Sequence, residues 1–369
     1  MYTPGWKHVG LMMMALSAWP AGATTMYTIQ DLGVVAGGYV SNGHGINASG
    51  QVTGQSSVSI ALGRGETYPF FWNGGTMQNL GTLGRGWGIN ASGQGVGDSL
   101  GTGFFWNGTL IEALPTTGYS GVSGTSARGI NNSGQVVGTI FSSSDNRTTD
   151  NHAVIWSGGI IQDVGVGFGM AINSSGQATG RNSLSNRAFF WDGTTSRELG
   201  TLGGNTAFAS SVGNAINAFG KIAGVATNAL NAQHAFVWDG TNMRDLGTID
   251  GFGSSIGYGI NASGGVVGSS DTTTGVRHAF IWDGNTMTDL NSILLNGMGW
   301  VLESAEAIND AGQITGTAVR RDNGILTIHA FLLDPVSDGV PPAAEVPESS
   351  SIWMAAVGLG VVVMSRRRR

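Results

Sequence analysis

Residues 216–247 read INAFGKIAGVATNALNAQHAFVWDGTNMRDLG. Three signals follow one another in this stretch. Ile216-Asn217-Ala218-Phe219-Gly220 is an Ile-Asn-x-x-Gly turn. His234-Ala235-Phe236-Val237-Trp238 is an aromatic run stopped by Asp239-Gly240. Asp245-Leu246-Gly247 closes the unit. The apolar runs are strand-length, and the residues between them favour turns. Outward from this stretch, the Ile-Asn-x-x-Gly core recurs with its Asn at Asn47, Asn90, Asn131, Asn173, Asn217, Asn261 and Asn309, 41 to 48 residues apart. Every copy but the last continues to a Trp followed by Asn-Gly, Asp-Gly or a similar turn. The seventh ends as His329-Ala330-Phe331-Leu332-Leu333-Asp334.

Each repeat reads as four strands: one ending at Ile-Asn, one after the Asn-x-x-Gly turn, the aromatic one, and one leading to Asp-Leu-Gly. A period above 40 with four antiparallel strands predicts an all-β fold, a seven-bladed β-propeller of four-stranded blades. A parallel β-solenoid is the main alternative, and the expected two-residue Asp-Gly reversals count against it. Tyr27 to Gly33 is a fourth strand without the preceding three, and the last repeat has three strands without a fourth. The N-terminal strand is therefore expected to complete the last blade and close the ring, which removes exposed edges.

A two-residue turn at Asp239-Gly240 would set His234 opposite Asp245. The same counting pairs His152 with Asp163, His278 with Asp289, His329 with Asp31, Arg187 with Glu198 and Tyr68 with Asn79. The two partners change together from repeat to repeat. The histidines are accordingly read as structural partners of their own aspartates rather than as a ring of metal ligands. No metal or cofactor site is expected, and no nucleophile elbow, zincin or P-loop motif occurs. The Asn-x-Ser sequons are read as products of the repeated turn.

Composition agrees with many short strands: 63 glycines, 8 prolines, and 11% charged residues. Net charge is −6, with no basic stripe in the body of the chain, so nucleic acid is not an expected partner. Cysteine is absent, which removes disulfides and thiol chemistry. Residues 1–23 read as a signal peptide: Lys7 and His8, an apolar run from Val9 to Trp19, then Ala21-Gly22-Ala23. Residues 24–334 carry the repeats and 335–345 a linker. In 346–369, Val346-Pro347-Glu348 leads to an apolar run at 352–364 and the arginines Arg366 to Arg369. That run is short for a membrane span, and the flanking arginines would extend it by snorkelling.

This tail resembles the PEP-CTERM sorting signal of Gram-negative envelope proteins, with Ser349 where that family has its second Pro. The resemblance implies an exosortase-type processing protease as partner, membrane anchoring through the C-terminal segment and delivery to the cell surface. From Tyr27 to Asp334 the repeats resemble the HAF-type extracellular family, on the His-Ala-Phe at His234, His278 and His329. That family has no established chemistry to carry over. The expected function is a surface binding or structural module for an exopolysaccharide or another envelope protein. The alternative is a hydrolase or lyase acting on extracellular glycans, using loop carboxylates such as Glu66, Asp98, Asp250, Asp271 and Glu303. Variable loops enter each repeat's first strand, and their aromatics suggest a ligand-binding rim of Trp87, Tyr119, Tyr258 and Trp300.

Overall fold

The structure, a computed structural model, describes residues 25–60, 64–142, 151–204, 206–297 and 299–336. The signal peptide, Val346, Pro347 and Glu348, and the apolar run 352–364 lie outside the described residues. Among the described residues no helix is long and apolar enough to cross a membrane. Apart from a short 3-10 turn at Leu290–Ile293, the regular structure described is strand.

After β1 (Met26–Asp31), the strands come in antiparallel groups. The first group is β2 (Gly38–Ile46), β3 (Val52–Ile60), β4 (Arg64–Trp72) and β5 (Met77–Asn79). The second is β6 (Arg85–Ile89), β7 (Gly95–Ser99), β8 (Thr102–Trp106) and β9 (Ile111–Ala113). β10 (Val122–Ile130), β11 (Val136–Ser142) and β12 (His152–Ser157) pair in turn and end on the long β13 (Ile160–Ile172). β13 also starts the next group, with β14 (Ala178–Asn182), β15 (Arg187–Trp191) and β16 (Ser196–Gly200). Two further groups are β17 (Ser211–Ile216) to β20 (Met243–Asp245), through β18 (Ile222–Thr227) and β19 (Gln233–Trp238), and β21 (Ser255–Ile260) to β24 (Met287–Asp289), through β22 (Val266–Asp271) and β23 (Arg277–Trp282). Finally β25 (Trp300–Ile308), β26 (Ile314–Asp322) and β27 (Ile325–Val336) pair, and β1 adds to β27 as the fourth strand. The expected all-β architecture of four-stranded antiparallel sheets is what the chain forms.

The first strands pack side by side: β2 touches β6, β6 touches β10, then β13, β17, β21 and β25 follow, and β25 touches β2. The repeated Asn explains the spacing. Asn131 Oδ1 accepts the N–H groups of Ser133 and Gln135, which shapes its own turn, while Nδ2 donates to the Asn173 carbonyl of the next sheet at 3.0 Å. Asn47, Asn90, Asn173 and Asn217 reach the next repeat's Asn carbonyl in the same way, and Asn309 reaches that of Asn47. Asn261 lacks that bond among the described contacts; there the Ala262 N–H donates to Asp310, as the Ala91 N–H does to Asn132 beside the Asn90 bond. These Asn side chains are buried. Between sheets the core is aromatic. Phe70, Phe104, Phe236, Phe280 and Phe331 of the third strands are fully buried. A Cβ on Gly97 or Gly268 would sit 2.6–2.7 Å from the rings of Phe104 and Phe280, so the second strands need glycine there.

The hairpin register differs from the sequence reading. Trp238 lies opposite Met243 and Phe236 opposite Asp245, a shift of two residues. The turn has four residues because Asp239 Oδ1 accepts the N–H groups of both Thr241 and Asn242, at 2.9 and 2.8 Å. Of Asp239 and Gly240 only Gly240 has positive φ, whereas a two-residue type I′ turn needs two such residues. The same shift sets Phe280 opposite Asp289, Phe70 opposite Asn79 and Phe331 opposite Asp31. A shift of two keeps every side chain on its face of the sheet.

Candidate functional site

The register shift makes His234 and Asp245 diagonal rather than directly opposed, yet their side chains meet, Nδ1 to Oδ1 at 2.8 Å. His152 and Asp163 lie at 2.7 Å, His278 and Asp289 at 2.7 Å, and His329 and Asp31 at 2.8 Å. Each aspartate also accepts the N–H two residues on, as Asp245 does from Gly247 at 2.8 Å, so one carboxylate holds both the turn and the histidine. Burial pushes the Asp31 carboxyl up, but His329 and the Gly33 N–H outweigh it and hold the group below the usual carboxylate range. The other two sequence-derived pairs do not form. Arg187 donates to the Ala209 carbonyl while Glu198 accepts from Ser185. Tyr68 donates to Glu66 while Asn79 accepts the Gly81 N–H. Both pairs rested on the two-residue turn.

The rim of four aromatics is not one surface. Trp300 is buried, packed with Tyr27 and Leu302 and covered by Arg320 at 4.7 Å, so it belongs to the core. Tyr119 donates to Asp163 at 3.1 Å and sits edge-on to His152. Burial, then the Asp163 charge, push its hydroxyl well above the ordinary tyrosine value. The exposed aromatics near the starts of the first strands are Tyr39, Phe208 and Phe252.

Trp87 and Tyr258 belong to a different arrangement. In every first strand the ladder slips by one residue three positions before the Asn, between Gly43 and Gly45, Gly86 and Gly88, and so on to Ala305 and Ala307. The extra residue of each β-bulge is His44, Trp87, Arg128, Met170, Asn214, Tyr258 or Glu306, and all are half-buried. A bulge re-aims the side chain it carries. Here the side chains meet across neighbouring sheets. His44 stacks on Trp87 at 4.4 Å with planes 16° apart, and the Arg128 guanidinium lies over Trp87 at 4.1 Å. His44 Nδ1 donates to the Gly86 carbonyl at 2.8 Å, and Asn214 Nδ2 donates to Gly257 in the equivalent place. Asp98 accepts from the Trp87 indole at 2.5 Å and from Ser126 at 3.3 Å.

The electrostatics follow from crowding. Burial pushes His44 down to about 4, and the Arg85 and Arg128 charges add to this against its Gly86 bond and Asp98. Burial lowers Arg128 as well. On the other side burial raises Glu306, with Ser304 opposing it, and burial and the Glu306 charge raise Tyr258. With His44 neutral near pH 7, the Trp87 side holds two guanidiniums and one carboxylate. The sequence carries a signal for this centre: a changing residue between two small ones before Ile-Asn, as in Gly43-His44-Gly45 and Gly257-Tyr258-Gly259. The flanking residues are small because the strands nearly touch; a Cβ on Gly45 would lie 2.7 Å from the Trp87 carbonyl.

No protein-family model matches the sequence, and no curated protein matches it. Solved structures with a similar course of chain include YCF48 bound to a D1 peptide, 11% identical with a TM-score of 0.46 over 87% of this chain and 100% of that one. A puromycin-hydrolysing peptidase of Mycobacterium tuberculosis is 11% identical with a TM-score of 0.49; the match covers 83% of this chain and 56% of the peptidase. A variant of the Aleuria aurantia lectin in complex with Fucalpha1-6GlcNAc is 11% identical with a TM-score of 0.34, over 87% of this chain and 98% of the lectin.

Proposed function

We propose that the chain is a seven-bladed β-propeller whose N-terminal strand completes the last blade, and that it is an exported binding module for an exopolysaccharide. The observation that carries the binding reading is the contrast inside each first strand. The frame is nearly the same in every sheet, with an Asn latch, small flanking residues and a bulge. The bulged residue differs in every one: His, Trp, Arg, Met, Asn, Tyr and Glu. A repeated frame that presents an unlike side chain at each equivalent place is suited to recognition. The pairing of β1 with β27 and the contact of β25 with β2 support the closed ring. Export and tethering rest on the sequence of the two ends, through a signal peptide and a PEP-CTERM-like tail read by an exosortase-type protease.

Two experiments test this. Cell fractionation should find the protein in the membrane or surface fraction, and deletion of 352–369 should release it; retention of the truncated chain in the membrane pellet counts against the anchor. A glycan array with the purified protein should show binding to extracellular polysaccharides with no shortening of the bound glycan. Release of reducing ends would favour the hydrolase alternative, and capture of an envelope protein without any glycan signal would redirect the binding reading.

A further inference from the structure

We propose that the Arg85–Arg128 side of the bulge centre is a carboxylate-binding site, and that it takes a uronic-acid residue, a sugar bearing one carboxylate. This rests on the binding-module reading above and names its ligand class. Neither guanidinium makes a hydrogen bond or a salt bridge with another described residue, although Asp98 stands cross-strand from Arg85. Asp98 is engaged instead by the Trp87 indole and Ser126. The donors of two arginines are thus left for something else.

Arg128 is also held in place. Arg128 lies against one face of Trp87, His44 covers the other face, and Asp98 fixes the indole N–H, so the guanidinium rests on a braced platform. Arg85 approaches the same ring from 5.9 Å and is exposed. A planar fork on a fixed support matches a carboxylate, which accepts two parallel N–H bonds. Because both faces of Trp87 are covered, the ring supports the arginine and is not itself a sugar platform.

Charge selects the kind of anion. Two guanidiniums and one carboxylate leave one positive charge in excess, which one carboxylate neutralises. A phosphate would add a second negative charge beside Asp98. The sugar half is argued from the neighbouring strand group, whose β3 packs on β6. Gln55 Oε1 is buried with no partner, while its Nε2 donates to Asn42, which occupies in β2 the place Arg85 occupies in β6. An unused buried acceptor costs stability unless a donor meets it, and a sugar hydroxyl supplies one.

The test is calorimetric titration of the purified protein with glucuronate, glucose, acetate and inorganic phosphate at low salt. Glucuronate should bind, with glucose, acetate and phosphate each at least about tenfold weaker. Arg128→Gln should weaken glucuronate by about tenfold or more with the circular dichroism spectrum unchanged. Asp98→Asn, which keeps an acceptor for Trp87 and removes the competing charge, should tighten it several-fold. Arg244→Gln, at the arginine that covers Trp282 elsewhere, should change nothing. Weaker binding in Asp98→Asn, or undiminished binding in folded Arg128→Gln, overturns the site. Acetate as tight as glucuronate overturns the uronic-acid assignment. Neutral oligosaccharides binding better than acidic ones overturns this inference and leaves the binding module standing, whereas silence from every glycan removes both.

Discussion

At the scale of single residues, His44 makes a prediction through its depressed proton affinity. The folded chain keeps it neutral down to about pH 4, because it is crowded and faces Arg85 and Arg128, with Asp98 the one opposing charge. The unfolded chain takes up that proton near pH 6.5. Stability contributed by the neutral ring is therefore fully present above about 6.5, falls as pH drops towards 4, and levels off below. The loss should reach on the order of 2 kcal/mol, discounted for the ring's partial exposure. Urea midpoints at pH 7, 5.5 and 4 measure it, and His44→Gln should flatten the profile across that window. Glu306 has the opposite sign, because its carboxyl is raised and its contribution is lost as pH rises. The sequence pointed to Asn131 and its equivalents as turn residues and to Trp87 and Tyr258 as aromatics worth watching. It did not reveal that the Asn side chain bonds the next sheet, because a donor's partner 42 residues away leaves no local pattern. The small residues flanking each bulged position mark its place in the sequence, but that the position is an extra residue shows only against the partner strand.

At the scale of elements, the strand order within each repeat was legible, and the hairpin register was misjudged by two residues, although the third repeat does turn on two residues, Gly158 and Gly159. Asp-Gly is the usual mark of a two-residue reversal, but an aspartate that caps two N–H groups enlarges the turn to four. The His–Asp contacts tolerate the change because a two-residue slip preserves the face and leaves long side chains within diagonal reach. Neighbouring sheets are also fastened by a buried serine at the start of the first strand. Ser255 Oγ donates to the Gly247 carbonyl at 2.5 Å and accepts the Ala235 N–H at 2.8 Å; Ser41 and Ser211 do the same for Gly33 with Ala330 and for Gly200 with Ala188. Ser255→Ala leaves a buried donor and a buried acceptor unpaired and should cost about 2–3 kcal/mol. Chemical denaturation of the single and double variants with Ser211→Ala checks this. The two costs should add within a few tenths of a kcal/mol, since the two serines share no partner.

At the scale of the whole molecule, β1 and β27 hold the ends of the chain together. Tyr27 is fully buried in a cluster with Leu302, Phe331 and Leu333, and Asp31 meets His329 across 298 residues of sequence. Removing residues 25–33 should therefore lower stability by more than about 4 kcal/mol, through lost apolar burial and an unpaired β27 edge, and should promote aggregation. Deleting 352–369 should leave the thermal transition unchanged, and calorimetry of the two truncations separates these outcomes. The pairing of β1 with the last repeat was foreseen because the opening strand lacked three companions and that repeat lacked one; the partners were right and only their register moved. The same pairing imposes a timetable on synthesis. β1 is made before the other strands and waits for β27, which is made after them, and the intervening sheets can form meanwhile on local contacts. Until β27 is made, Tyr27 lacks its packing partners Phe331 and Leu333 and β1 has no strand to pair with. A stalled or nicked chain remains in that state, with bare strand edges offered to proteases and to other copies of itself.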